Sequence, residues 1–295
     1  MRFLPFTSLL LAGLVACQSE NKPAAPVATV AVHDDLSRAL TLPAHPRRIL
    51  ALAPSMTEML YVVADTATII ARTQADDYPV AVLRKPLVNS YPLDMERLVA
   101  LHPDVVFTVE GMTPLDAAER LRQLGIPVYY QRYRCVADVL RGLTDLGRLL
   151  GRPAQARHLT DSLQQQLKLL ASVPPSRVPL TVLALASTDP IYAYGQNTLF
   201  TDEIRLAGGQ NAVRETFPQP FPALTREYLL KLDPAVVLGG RFGKLDSTFF
   251  KNNPELRHTR AYQTRRVYAA TPNLLTRPSP RVVEAVRELR ELLRK

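Results

Sequence analysis

The sequence predicts an α/β protein of two Rossmann-like lobes, with mainly parallel sheets, joined by a single long backbone helix. Three observations carry this. Short apolar runs alternate with amphipathic segments along most of the chain, the pattern of parallel βαβ units. One passage occurs twice, 131 residues apart, as Met95-Glu96-Arg97-Leu98-Val99-Ala100-Leu101-His102-Pro103-Asp104-Val105-Val106 and as Arg226-Glu227-Tyr228-Leu229-Leu230-Lys231-Leu232-Asp233-Pro234-Ala235-Val236-Val237. Counted from Glu96 and Glu227, both copies carry Leu at +2 and +5, Pro at +7 and Val at +9 and +10. Between the copies, residues 153–172 read as one helix with few turn signals, roughly 30 Å long at 1.5 Å per residue.

The elements follow in order. Arg2, the apolar run Phe3 to Val15 and the lipobox-like Leu14-Val15-Ala16-Cys17 make residues 1–17 an export signal, with Cys17 as the lipidation site. Residues 18–46 are rich in Ala and Pro without a periodic apolar stripe, which predicts a flexible tether. The N-terminal lobe, 47–134, opens with a buried strand at Ile49–Leu52. Ser55-Met56-Thr57-Glu58 is a capping box that starts a helix. Strands are expected at Thr68–Ala71, Asp104–Thr108 and Pro127–Tyr130, and a helix over 114–124 stops at Gly125. Asp94 and Thr225 precede the two copies of the repeat as N-caps, the leucines cover one helical face, and the proline ends each helix before a buried strand. Each glutamate then lies in a first turn, where the helix dipole favours a carboxylate. The alternative is a coincidence of two ordinary helix–Pro–strand joints.

The helical connector, 135–177, holds a helix over 136–150, Gly151, and the backbone helix from Pro153 to Pro174-Pro175. The C-terminal lobe, 178–295, resumes with a strand at Leu180–Ala186. It continues with helices near 198–207, 226–232 and 246–252, a strand at Arg266–Ala269 and a closing helix at Ser279–Leu293. Gly208-Gly209 reads as a helix stop rather than a phosphate loop.

Composition narrows the function. With Cys17 acylated, the second of the two cysteines, Cys135, has no partner, so no disulfide framework is expected. The formal charge of +9 falls to +8 when residues 1–16, with Arg2, are removed; the arginines are scattered, which suits a solvated surface better than a nucleic-acid partner. The five histidines, His33, His45, His102, His158 and His258, are dispersed, so no site for a bare metal ion is expected. No nucleophile elbow, phosphate loop or dinucleotide fingerprint occurs. Glu96 and Glu227 fall on separate lobes in exposed turns, which does not suit a glycosidase pair. A binding protein is therefore expected, with a tethered cell-envelope enzyme as the alternative class. Tyr78, Tyr91, Tyr192, Tyr194, Phe217, Phe221, Asn273 and Arg277 fall at loop positions where they could line a groove between the lobes for a large, partly apolar ligand.

Six segments carry a resemblance to a known family over about residues 47–292: Leu52-Ala53-Pro54-Ser55-Met56-Thr57-Glu58, Asp77-Tyr78-Pro79, Met95 to Val106, Ala207-Gly208-Gly209-Gln210-Asn211, Leu224-Thr225-Arg226-Glu227 and Ser279-Pro280-Arg281. The chain resembles the substrate-binding components of ABC importers that have a helical backbone, and among these its cobalamin-binding members. The resemblance implies a monomeric, lipid-anchored, exported receptor without a cofactor, whose cargo is a corrinoid. Its partners would be a permease dimer with ATPase subunits, reached through Glu96 and Glu227. It places Pro54, Ser55, Tyr78, Tyr91, Tyr192, Phe221, Asn273 and Arg277 against the ligand. Tyr91 stands where such members have a tryptophan, Asn273 replaces an acid, and Ala75 stands where a tyrosine is expected. A ferric siderophore or haem is the alternative cargo, with Arg132, Arg134 and Arg241 serving its anionic groups.

Overall fold

The computed structural model describes residues 28–172, 178–239 and 247–295; Cys17, Pro174-Pro175 and Arg241 lie outside them. The N-terminal lobe comprises β1 (Thr29–His33), β2 (Ala39–Pro43), β3 (Ile49–Ala51), α1 (Pro54–Val63), β4 (Arg72–Thr73), β5 (Leu87–Val88), α2 (Met95–Ala100), β6 (Val105–Val109), α3 (Leu115–Gln123) and β7 (Val128–Gln131). Next come α4 (Val136–Leu149) and the long α5 (Pro153–Ala171). The C-terminal lobe comprises β8 (Leu180–Thr188), β9 (Ile191–Ala193), α6 (Leu199–Leu206), β10 (Gly209–Asn211), α7 (Arg226–Leu232), β11 (Val236–Gly239), α8 (Ser247–Asn252), α9 (Arg260–Gln263), β12 (Val267–Ala269), α10 (Pro272–Leu275) and α11 (Val282–Arg294).

Both sheets are parallel at their centres. Strands run β3-β6-β7 in the first lobe and β10-β8-β11-β12 in the second, where β9 adds antiparallel to β8. Period-two alternation sends the residues of each strand to two cores. Ile49, Ala51, Val105, Phe107 and Tyr129 face a core that also takes Val182, Ala184, Val236 and Leu238 from the other lobe. The intervening Leu50, Val106, Val128 and Tyr130 pack into a core of the first lobe alone, and Leu183, Leu185 and Val237 into one of the second. The helix α5 closes the shared core, packing on α4, α6 and α11. The lobes are thus built on one continuous interior as well as their own.

Three local expectations are corrected. The tether over 18–46 is too long, because residues 29–43 form an antiparallel hairpin whose Val32, Leu40 and Leu42 are buried in the shared core. Its turn is pinned along the edge strand β7: the Asp34 carboxylate accepts the backbone N–H of Leu36 and Arg38 and that of Tyr130, while Asp35 exchanges bonds with Tyr130 and Arg132. Unpaired backbone of an edge strand is thereby satisfied by side chains 96 or 97 residues away. The strand expected at Thr68–Ala71 is a 3-10 turn, Thr66–Thr68, followed by a single bridge from Ile69 to Ile49. No capping box starts α1; Pro54 occupies its first turn, Ala53 is the N-cap without a side-chain bond, and Glu58 is engaged elsewhere.

The α4–α5 corner needs a glycine. A Cβ on Gly147 would lie 2.2 Å from the Ala156 Cβ and 3.1 Å from the Arg152 carbonyl oxygen. Gly147→Ala is therefore expected to push α5 off α4 and to lower stability by about 1–3 kcal/mol in urea unfolding, the usual cost of overpacking. An unchanged midpoint would show that the corner is more compliant than its contacts indicate.

Candidate functional site

Parallel strands deliver their following loops to one edge of a sheet, and here the edges of both sheets face each other. After β3 come Ala53, Pro54 and Ser55; from the last residue of β6, Val109 to Met112; after β7, Tyr133 and Arg134. The second lobe answers with Tyr194 after β9, Thr198 to Phe200 at the start of α6, Pro220 and Phe221, and Leu275 to Pro278. Together they enclose a cleft of about 570 Å³, within the range of small-molecule sites. A hollow of about 670 Å³ beside Glu227 is lined by the second lobe alone and is mostly polar. The strand-end rule selects the inter-lobe cleft.

The wall of the second lobe is a cluster of three rings. Tyr194 lies edge-on to Phe200 at 4.8 Å between centroids and to Phe221 at 5.2 Å, the favoured geometry for aromatic pairs. Phe221 is 45% exposed at the rim. On the opposite side Tyr133 is buried and donates its hydroxyl to Gln131. Behind the rings, Glu203 is fully buried with neither oxygen partnered among the described residues. Burial, and then the nearby Asp202, push its carboxyl well above the usual range, and burial with the Glu203 charge pushes Tyr194 up to about 12.

Charge collects at the two ends of the cleft and is paired at both. At one end Glu110 takes Arg132 Nε at 3.1 Å and Arg134 Nη2 at 2.6 Å. At the other, Glu58, with 1% of its side chain exposed, accepts Arg281 Nε and Nη2, each at 2.8 Å, and Arg277 Nη1 at 3.3 Å. Arg277 Nη1 also reaches Asp77, which in turn accepts the Asn273 amide. Four guanidinium groups therefore face three carboxylates. Among the described residues no cluster of three or more His, Cys, Asp or Glu is placed to hold a metal ion.

Of the residues expected at the ligand, Pro54, Ser55, Phe221 and Arg277 line the cleft. Tyr78, Tyr91, Tyr192 and Asn273 stand outside its wall. Tyr78 is stacked by the Arg281 guanidinium at 4.2 Å, Tyr91 is 88% exposed in the turn before α2, and Asn273 is bonded to Asp77. Tyr192 lies on β9, bridged to Ala223, and the ring that reaches the wall is Tyr194, just past the strand end. Sequence reading missed Glu58, Asp77 and Glu110 as charged groups of the site. Only Glu110 carried a usable signal, as the second residue after a predicted parallel strand.

Glu96 and Glu227 occupy the same place in their two copies. Each is the second residue of a short helix, each is exposed, and the preceding Asp94 or Thr225 accepts the backbone N–H of Arg97 or Tyr228. The likeness extends to the residue before each proline, His102 and Asp233, both left-handed with φ of 45° and 38°. Each copy then enters an interior strand of its sheet, β6 or β11. The backbone N–H and the Thr225 hydroxyl hold the Glu227 carboxyl below the usual range, so it is ionised at neutral pH.

The family model described as periplasmic binding protein matches residues 49–274. The vitamin B12-binding protein of Pectobacterium atrosepticum is 27% identical over 251 residues, covering 83% of this chain and 87% of that protein. Two solved structures share the fold. One is a possible iron-binding, periplasmic solute-binding protein of Staphylococcus epidermidis, with a TM-score of 0.76 and 24% identity over 85% of this chain and 99% of that one. The other is the periplasmic vitamin B12 binding protein of Vibrio cholerae, with a TM-score of 0.74 and 24% identity over 84% and 96%.

Glu203 gives the site a pH signature. An acid whose folded pKa is raised holds a proton that the unfolded chain releases near pH 4.5. Its contribution to stability is thus greatest below that value and falls as pH rises towards the folded pKa. Relative to Glu203→Gln, the wild-type chain is expected to lose stability by up to about 1.4 kcal/mol per pH unit between pH 5 and 7. Parallel stability–pH curves would mean that the carboxyl is charged in the folded protein.

Proposed function

The chain belongs to the periplasmic binding protein family, and on that premise we propose that it is the lipid-anchored, exported substrate-binding component of an ABC importer. It captures cobalamin or a similar corrinoid in the inter-lobe cleft and delivers it to the permease. The reading rests above all on the character of the cleft, which joins an aromatic wall to ends where every described lining arginine is already ion-paired. A corrinoid presents a broad, partly apolar macrocycle rimmed by neutral amides, with one phosphodiester. The Tyr194 and Phe221 rings suit its face; Ser55, Thr198 and the remaining donors of Arg277 and Arg134 suit its amides. Pro54 fixes the start of α1 beneath them. Haem and the catecholate ferric siderophores carry more anionic groups, whereas the four guanidinium groups here exceed their three carboxylates by a single charge. The names of the relatives agree with a corrinoid for some and with iron for others.

Titration against cyanocobalamin, haemin and a panel of ferric siderophores tests the cargo. One-to-one binding of cyanocobalamin is expected, weakened at least about tenfold when Tyr194 and Phe221 are both changed to Ala. Tighter binding of haemin or of a ferric siderophore would replace the corrinoid by that ligand.

Delivery falls to Glu96 and Glu227. Two exposed carboxylates at equivalent positions of two similar lobes match a permease dimer, and charged rim contacts give orientation and on-rate. In the double variant Glu96→Ala/Glu227→Ala, ligand affinity measured by calorimetry is expected to stay at the wild-type level while uptake into cells is lost. Loss of affinity would refute the docking role.

A further inference from the structure

Arg277 lines the cleft from the second lobe, yet both of its acid partners come from the first. The two acids differ in kind. Glu58 is buried and already held by Arg281 through two bonds of 2.8 Å, so its charge is met without Arg277. Asp77 keeps 48% of its side chain exposed and is bonded to Arg277 and to the Asn273 amide. Burial would raise the Asp77 carboxyl, but Arg277 and Asn273 outweigh it and hold it below the usual range.

The position of Asp77 is built in. Its neighbour Asp76 is buried and accepts the Thr73 backbone N–H at 2.6 Å and the Thr57 hydroxyl at 3.1 Å, which ties the loop after β4 to α1. Asp77 is thereby presented to the second lobe beside the cleft. Glu58 and Asp77 together set two carboxylates directly against the guanidinium groups of Arg277 and Arg281. Without Asp77, Glu58 would be the one carboxylate in direct contact with both of them.

We propose that Asp77 is a resident counter-anion of the cleft: steadied by the Asn273 amide, it occupies the Arg277 donors that a ligand carboxylate would use, and so selects for cargo with a neutral rim. The proposal deepens the corrinoid reading and rests on it for the identity of the cargo. An amide carbonyl can take the Arg277 N–H groups left over beside Asp77. A carboxylate must displace Asp77 or sit within reach of a like charge. Asp77 is a specificity-determining residue on this view, acting through Arg277.

Two measurements test it. In the first, sodium propionate is titrated into the full chain while the arginine Nε–H signals are followed by 15N NMR. Asp77→Asn should bind propionate at Arg277 at least about tenfold more tightly than wild type, and Asp77→Asn/Arg277→Gln should lose that gain. In the second, the affinities for cyanocobalamin and for its monocarboxylic acid derivative are compared. Asp77→Asn should shift their ratio at least about tenfold towards the acid, a change that mere loosening of the lobes would not produce. No propionate response at Arg277, or equal changes for both corrinoids, overturns the proposal. A propionate response without corrinoid binding supports the counter-anion and sinks the corrinoid instead.

Discussion

A carboxylate taken out of water keeps its charge only where other groups replace its hydration, and for Glu58 those groups come from the opposite lobe. Its partners, Arg277 and Arg281, lie 219 and 223 residues further along the chain. The bidentate bond to Arg281 leaves the carboxylate little freedom, and removing either side of such a pair typically costs about 3–5 kcal/mol because a buried charge is left alone. The pair therefore fixes where α1 stands relative to the segment before α11. Everything in the cleft depends on that placement, since Pro54 and Ser55 begin α1 and Leu275 to Pro278 precede α11.

The ion pair works together with the shared core. Strands of both lobes send alternate residues into one interior that α4, α5 and α11 complete. A hinge between two independent cores would have only a linker to bend. Here relative motion of the lobes must disturb packed side chains from both sheets, and packed interiors resist small deformations. The cleft is accordingly preformed. Its ring cluster is held edge-to-face, and its guanidinium groups are fixed by carboxylates before any ligand arrives.

Local physics wrote itself plainly in the chain. The strands at Ile49, Val105, Val128, Leu180 and Val236 were legible because apolar runs bounded by Pro, Gly or caps have few other solutions. The helix from Pro153 was legible for the same reason. The duplicated passage was legible because its spacing fixes a helix, a stop and a strand at once. What failed was non-local. Residues 29–43 do alternate, with Val30 and Val32 and then Leu40 and Leu42, but the runs are short and sit beside an Ala- and Pro-rich stretch; what holds them is non-local, since Val32, Leu40 and Leu42 enter the shared core and Asp34 and Asp35 meet an edge strand almost a hundred residues away. Glu58 stands three residues after Ser55 and mimics a capping box, and nothing nearby announces that two arginines will claim it. Tyr192 and Tyr194 are equally aromatic neighbours; which ring meets the cleft is decided by where β9 ends.

On the transport reading, rigidity also shapes how cargo leaves. A receptor that closes on its ligand can release it by reopening, because closure and affinity share one coordinate. A preformed cleft has no such coordinate. Its affinity comes from surfaces already in place, so the ligand-bound and ligand-free lobes differ little in energy. Release then requires work delivered from outside, applied to each lobe separately. Glu96 and Glu227 are suited to that task because each begins a helix that runs through a left-handed residue and a proline into an interior strand of its own sheet. In the first lobe that strand, β6, ends at Val109, where cleft-lining residues begin, so the joint that made the two copies recognisable in the sequence also leads to the site.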